Sequence, residues 1–158
     1  MIDLFLLNIF LAIGFSAVLG QFSLSGLLGG FVIGYSALWL TKPLYQNTGY
    51  LHRLPKVLML IGYFVKELFI SNFRVMWDVI TPKHISRPGI IGVPLDAKTD
   101  LEIMLVANLI SLTPGTLSLD VSEDKTMLYV HVMFLDDVEE ARRTIKEGLE
   151  RRVLEVMR

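Results

Sequence analysis

Two apolar runs open the chain with almost no break between them. Residues 2–20 (IDLFLLNIFLAIGFSAVLG) and 22–40 (FSLSGLLGGFVIGYSALWL) each approach the ~20 residues that a bilayer-spanning helix needs. The gap at Gln21 leaves room only for a tight turn, so the pattern predicts an antiparallel helical hairpin. Small residues recur every four positions, as Ala12, Ser16 and Gly20 and again as Gly26, Gly30 and Gly34. That spacing holds them on one helix face, where they let backbones approach closely in lipid. Asn8 is the one clearly polar side chain of the first run, and it is expected to bond another helix.

A third element is amphipathic. Pro55 suits a helix start and Thr81-Pro82 a helix stop. Between them Tyr63, Glu67, Ser71, Arg74 and Asp78 recur at helical spacing, with Lys66 beside them. Apolar residues such as Leu58, Ile61, Val65, Phe69 and Trp77 cover the rest. In a spanning helix Lys66 and Glu67 would lie near the bilayer centre, at a cost of roughly 2.5–3.5 kcal/mol each. A helix lying in the membrane interface avoids that cost. The other reading is a third span whose polar stripe packs against partner subunits. On either reading Lys66, Glu67, Arg74 and Asp78 are the candidate polar stripe at the membrane interface.

From Arg87 the pattern turns soluble. Residues 89–95 (GIIGVPL) read as a short strand ending at Pro94. Thr99 and Glu102 form a capping-box pair, opening a helix to about Leu112 that is apolar nearly all round. Twelve such residues are too few to span, so this helix is expected to be buried, with Asn108 as its one buried amide. Leu117, Leu119 and Val121 alternate with Thr116, Ser118 and Asp120, and Leu128, Val130, Val132 and Phe134 with Met127, Tyr129, His131 and Met133. Joined by Ser122–Lys125, the two runs predict an antiparallel hairpin. A last helix follows Asp137 with Val138, Ala141, Ile145, Leu149, Val153 and Val156 inward. Glu139–Arg143 and Glu147–Arg151 are expected as (i, i+4) pairs on its solvated side. The order β-α-β-β-α makes an α/β sandwich akin to an incomplete ferredoxin-like unit. The fold class is thus an α+β membrane protein: a transmembrane hairpin (1–41), a basic loop and amphipathic helix (42–86), and a cytosolic sandwich (87–158). The outer face of the sheet, Met127, Tyr129, His131 and Met133, reads either as a plain exposed face or as a docking surface.

Charge sharpens this division. Of 158 residues 53% are apolar and mean hydropathy is +0.53. Residues 1–41 hold no Lys or Arg and one acid, Asp3; 42–84 carry a net +4 and 85–158 a net −4. Lys42, His52, Arg53 and Lys56 after the second run place that end, and the N-terminus, in the cytoplasm by the positive-inside rule. Trp39, Tyr45 and Tyr50 flank it as interfacial aromatics. The start Met1-Ile2-Asp3 lacks a basic leader region, so the first run reads as an anchor. Basic charge laced with apolar helix points to anionic lipid headgroups and not to nucleic acid.

Catalytic chemistry is missing from the pattern. There is no cysteine, and no phosphate-binding glycine loop, GxSxG, HExxH or EF-hand motif occurs. His52, His84 and His131 stand far apart, so no metal or cofactor is expected, and no enzymatic activity. The segment ANLISLTPGTLSLDV over 107–121, with Asn108, Thr113, Pro114, Gly115 and Thr116, is followed by LYVHV over 128–132. Physically it is a helix-to-strand corner: Pro114 stops the helix, Gly115 permits the turn, and the threonine hydroxyls satisfy freed backbone groups. Together these runs resemble the signature of the E-type chain of Mrp-type multisubunit sodium (cation)/proton antiporters, and the likeness covers essentially the whole chain.

That resemblance implies a small non-catalytic subunit of a bacterial plasma-membrane complex. Large partner subunits, similar to the proton-pumping membrane subunits of respiratory complex I, would carry the ion translocation. The E-type chain would support assembly or line part of a cation path. A different class of function also fits, a membrane-anchored regulatory module whose sandwich binds a ligand or soluble partner.

Overall fold

The computed structural model describes residues 2–20, 22–45, 48–82 and 84–158. Contacts divide the chain into two compact units, Met1–Pro55 and Lys56–Arg158. The first holds α1 (Ile2–Val18), α2 (Leu24–Leu40), a short 3-10 turn (Lys42–Leu44) and the start of α3 (Gly49–Ile80). The second holds the rest of α3, then β1 (Gly89–Pro94), α4 (Asp100–Leu112), β2 (Thr116–Val121), β3 (Met127–Val132), α5 (Val138–Ile145), a π turn (Lys146–Glu150) and α6 (Arg151–Met157).

In the first unit α1 and α2 pack together. Leu4, Asn8, Ala12 and Ser16 are buried on α1, and Gly30, Gly34 and Leu38 on α2. A Cβ on Gly30 would stand 2.8 Å from the Ala12 carbonyl oxygen, and one on Gly34 would collide with Asn8 Oδ1. Gly26 is half-buried. Gly20 does not join the contact: it lies beyond the end of α1 at φ +64 with nothing near its Cβ position, where its left-handed conformation turns the chain. Asn8 Nδ2 donates to the Tyr50 hydroxyl at 2.8 Å, so its partner helix is α3. Tyr50 is therefore buried, not an interfacial flank.

The helices are shorter than the apolar runs. Among the described residues no helix is long and apolar enough to cross a membrane. With 17 residues each, α1 and α2 extend about 25 Å at ~1.5 Å per residue. The runs lose their ends because Gly20 leaves the helix and Ser23 caps the next one, its hydroxyl accepting from Gly26 N–H at 3.1 Å. At the other extreme α3 has 32 residues but carries charges through its middle, and it begins six residues ahead of Pro55, which sits inside it. Proline has no N–H to give the Leu51 carbonyl, which instead accepts from the Tyr35 hydroxyl at 2.9 Å.

The second unit is a three-stranded antiparallel sheet in the order β1-β3-β2. β1 and β2 run parallel with β3 between them, in register Ile91 to Val130 and Ser118 to Val130. Ile91, Val93, Leu128, Val130 and Val132 meet Val106, Ile110, Ile145, Leu149 and Val153 in the core. β2 departs from its apolar pattern. Leu117 and Leu119 are each 48% exposed, whereas Thr116 and Ser118 turn toward α4, Ser118 Oγ donating to the Ala107 carbonyl at 2.9 Å. A bulge between Ser118 and Asp120 then returns Val121 inward. α4 is likewise less buried than its composition predicts, with Leu101, Met104, Leu112 and Asn108 exposed. A helix covering one sheet face buries only one stripe, whatever its other faces carry.

β1 is an edge strand, and its outward carbonyls are covered by side chains. Arg142 Nε donates to Gly92 O at 2.8 Å, Lys146 Nζ to Pro94 O at 2.9 Å, and Arg158 Nη2 to Asp96 O at 3.2 Å. Cations along such an edge keep another strand from pairing there. Arg142 also pairs with Glu139, and Arg151 with Glu155 at 3.5 Å. These replace the expected Glu139–Arg143 and Glu147–Arg151 pairs, because Arg142 is drawn to β1 and the π turn shifts the helix face.

Gly30→Val should lower the thermal stability of the full chain in detergent by about 1–3 kcal/mol, the usual penalty of overpacking. Gly29→Val, whose Cβ meets nothing within 4 Å, is the control. Equal melting temperatures for the two variants would contradict the close α1–α2 contact.

Candidate functional site

The polar stripe of α3 lies within the second unit and turns only partly inward. Asp78 is buried, and its Oδ1 accepts from the Ile85 and Ser86 N–H groups at 2.5 and 3.0 Å. Burial alone would raise its pKa, but those N–H groups outweigh it and hold the carboxyl below its ordinary value. Asp78 therefore ties the end of α3 to the chain leading into β1. One turn earlier Arg74 is exposed and lies 5.3 Å from the Phe134 ring centroid. Glu67 is half-buried and lines a 90 Å³ cavity with Tyr63, Thr113, Thr116, Thr144 and Ile145. Lys66 is exposed, 5.9 Å from the Tyr63 ring.

The same cavity touches the corner after α4. Thr113 Oγ1 donates to Leu109 O at 2.9 Å, and Thr116 Oγ1 to Ile110 O and Thr113 O at 2.6 and 3.0 Å. Gly115 adopts φ +87 against Phe134. The two threonines satisfy carbonyls freed where the helix ends, and this fixes the course of β2. Asn108 takes no part, since it lies on the exposed side of α4. Glu67 and the corner, 46 residues or more apart in sequence, thus share one wall.

Another feature escaped the sequence pattern. Glu150 is 1% exposed; its Oε1 accepts from the Asp96 and Ala97 N–H groups at 2.6 and 3.0 Å. Glu102 Oε2 accepts from the next two, Lys98 and Thr99, at 2.8 and 3.1 Å. Two carboxylates so take four successive N–H groups of the β1–α4 loop. Arg158 Nε adds a bond to Glu102 at 3.2 Å and Lys146 Nζ stands 3.9 Å from Glu150. The Lys98 N–H, Arg158 and the Thr99 N–H hold the Glu102 carboxyl at about 2, well below 4.5. Glu150 was hidden because it follows Leu149 directly; the π turn buries Gly148, Leu149 and Glu150 consecutively, which regular helical spacing does not allow. Among the described residues no group of three or more His, Asp or Glu is placed to hold a metal ion.

A family model described as Na+/H+ ion antiporter subunit (MNHE) matches residues 8–156. The E-type chain of the Na(+)/H(+) antiporter of Bacillus subtilis (strain 168) is 37% identical over 153 residues, covering 97% of each chain. Its counterpart in Alkalihalophilus pseudofirmus is 37% identical over 151 residues, covering 96% of each. The chain belongs to the MNHE family of Na+/H+ antiporter subunits. Its relatives are transporter components rather than catalytic enzymes, and its place is a membrane-associated one. In the Mrp complex from Dietzia sp. DQ12-45-1b a chain of the same fold covers 65% of this chain and 96% of its own, at TM-score 0.51 and 24% identity. A chain of the membrane-bound sulfane sulfur reductase, an archaeal respiratory membrane complex, matches 95% of this chain and 96% of its own at TM-score 0.56 and 25% identity.

Because Glu102 titrates lower in the folded chain than in the unfolded one, its contribution to stability is complete above pH 4.5 and disappears as pH falls toward 2. Denaturant midpoints of the full chain in detergent should show this loss in the wild type and a smaller slope in Glu102→Gln. Glu150→Ala should cost about 2–4 kcal/mol at neutral pH, since it leaves the Asp96 and Ala97 N–H groups without an acceptor. An unchanged midpoint would mean that the loop holds itself.

Proposed function

We propose that this chain is the small, non-catalytic E-type component of a multisubunit sodium (monovalent cation)/proton antiporter in the bacterial plasma membrane. It supports assembly there and lines part of a cation path. The observation that carries this reading is the near full-length match to E-type relatives, joined to a surface unsuited to water. Phe5, Phe10, Val18, Phe22, Leu24 and Val32 of the first unit are exposed, and residues 4–41 carry no charge. Exposed apolar surface on this scale marks a membrane or protein interface.

On this reading α1 and α2 form a two-pass hairpin. Their length of about 25 Å is made up by the flanking apolar residues and by local thinning of the bilayer. Segment 42–86 is a basic loop and an interfacial helix, with the N-terminus and the 87–158 domain cytoplasmic. α3 supports the interfacial assignment: Leu58, Ile61, Phe69, Phe73, Trp77 and Ile80 are exposed along it, while Glu67 and Asp78 turn inward. The domain is an incomplete ferredoxin-like sandwich. Its β1-β3-β2 order is that fold without the strand that would flank β1, and Arg142, Lys146 and Arg158 cover the edge where that strand would pair.

The other antiporter subunits are the partners, together with a bilayer bearing anionic headgroups. Lys66 and Arg74 are the exposed members of the stripe and meet those partners, while Glu67 faces the cavity. Asp78 serves the fold.

A C-terminally tagged chain purified from its host in mild detergent should carry several large hydrophobic proteins by native mass spectrometry. Glu67→Gln and Arg74→Gln should lower Na+/H+ antiport in everted vesicles several-fold with the complex still assembled. Full antiport in both variants would remove the stripe from the transport function, and a chain that purifies alone would overturn the antiporter reading.

A further inference from the structure

Where α3 meets the C-terminal helices, an open cavity of about 320 Å³ is lined by Tyr63, Arg143, Thr144, Gly148, Arg151 and Arg152, with Glu147 as its only acid. The π turn shapes it. A Cβ on Gly148 would stand 2.5 Å from the Tyr63 hydroxyl, so glycine lets the tyrosine settle against the turn. Arg152 stacks 3.8 Å from the Tyr63 ring centroid, and its Nη1 donates to Glu147 O and Gly148 O at 2.8 and 2.7 Å. Stacking and two carbonyls fix this guanidinium in place, and among the described residues its other nitrogens make no hydrogen bond.

The neighbouring cations are poorly neutralised. Arg143 is exposed and forms no ion pair among the described residues. Arg151 meets only Glu155, at 3.5 Å, in a pair exposed on both sides, which contributes little. Lys66 adds a fourth cation 5.9 Å from the same tyrosine ring. The lining itself, three arginines against Glu147, carries a net +2, although the second unit as a whole is acidic. Guanidinium groups match phosphate oxygens in geometry and charge.

We infer that this pocket binds a phosphate group. An anionic phospholipid headgroup supplies it, with the apolar ridge of α3 in contact with the acyl chains. The source of the phosphate rests on the interfacial reading of α3; the pocket itself does not. Free inorganic phosphate would use the same cations and none of the ridge.

The test uses the full chain with Trp39→Phe, so that Trp77 is the only tryptophan, in nanodiscs of phosphatidylcholine containing phosphatidylglycerol. Quenching of Trp77 by brominated acyl chains reads contact of α3 with the bilayer, whatever the headgroup. Native mass spectrometry of the released protein reads which lipid stays bound. Phosphatidylglycerol should be retained over phosphatidylcholine, and Arg143→Gln/Arg151→Gln should reduce that preference about tenfold with Trp77 quenching unchanged. Both arginines are exposed, so the variant should fold, as circular dichroism will verify. Inorganic phosphate bound by the wild type and not by the variant, without lipid enrichment, would keep the pocket and overturn the lipid source. No preference and no phosphate binding, with Trp77 quenched, would overturn the pocket and leave the interfacial helix standing. An unquenched Trp77 would overturn the interfacial reading.

Discussion

Two buried carboxylates holding four consecutive backbone N–H groups set the frame of the C-terminal domain. Residues 96–99 lead from an edge strand into α4, so their N–H groups have neither sheet nor helix partners. Glu150 takes two of them and Glu102 the other two. Glu102 comes from the helix the loop begins, and Glu150 from the far end of the chain. Thus one short loop joins β1, α4 and the C-terminal helices. Arg142, Lys146 and Arg158 reinforce the same seam by donating to carbonyls of β1 and the loop. An uncompensated buried carboxylate would cost several kcal/mol; charge-assisted bonds to N–H groups that need acceptors offset this.

The π turn connects this frame to the surface. Its extra residue buries Glu150 beside Leu149 and brings Gly148 against Tyr63 of α3. One backbone irregularity therefore serves the loop on one side and the arginine-lined cavity on the other. Within the second unit, α3 presents Leu60, Tyr63, Phe64, Glu67 and Asp78 to the domain and leaves Leu58, Ile61, Phe69, Phe73 and Trp77 outside. On the interfacial placement proposed for α3, a membrane interface supplies an apolar environment for its outer face without burying Lys66 or Arg74.

Much of this was legible in the chain. The Thr99–Glu102 capping box, the β1, β2 and β3 segments, the inner stripe Ile145–Leu149–Val153 and the apolar pair of helices all follow from short-range periodicity. The 107–121 run, with 128–132 after it, carries the resemblance to the antiporter family in residues that lie close together along the chain. Other features were illegible for identifiable reasons. Leu117 and Leu119 alternate as core residues do, yet period-2 alternation cannot say which face a second layer will cover. Asn108 is the only amide of an apolar helix, but one sheet face buries one stripe and left it outside. Tyr50 has the position of an interfacial aromatic, yet Asn8, 42 residues away, is its partner.

By itself the sequence determined the elements, their order, the family and the uncharged character of the first 41 residues except Asp3, since these depend on residues near one another along the chain. Only the tertiary structure decided that Glu150 is buried, that Asp78 caps a loop, that Gly20 leaves the helix contact, and that four cations gather around Tyr63. Each of those depends on groups brought together from distant positions or on a backbone irregularity such as the π turn. Local patterning carries no record of either.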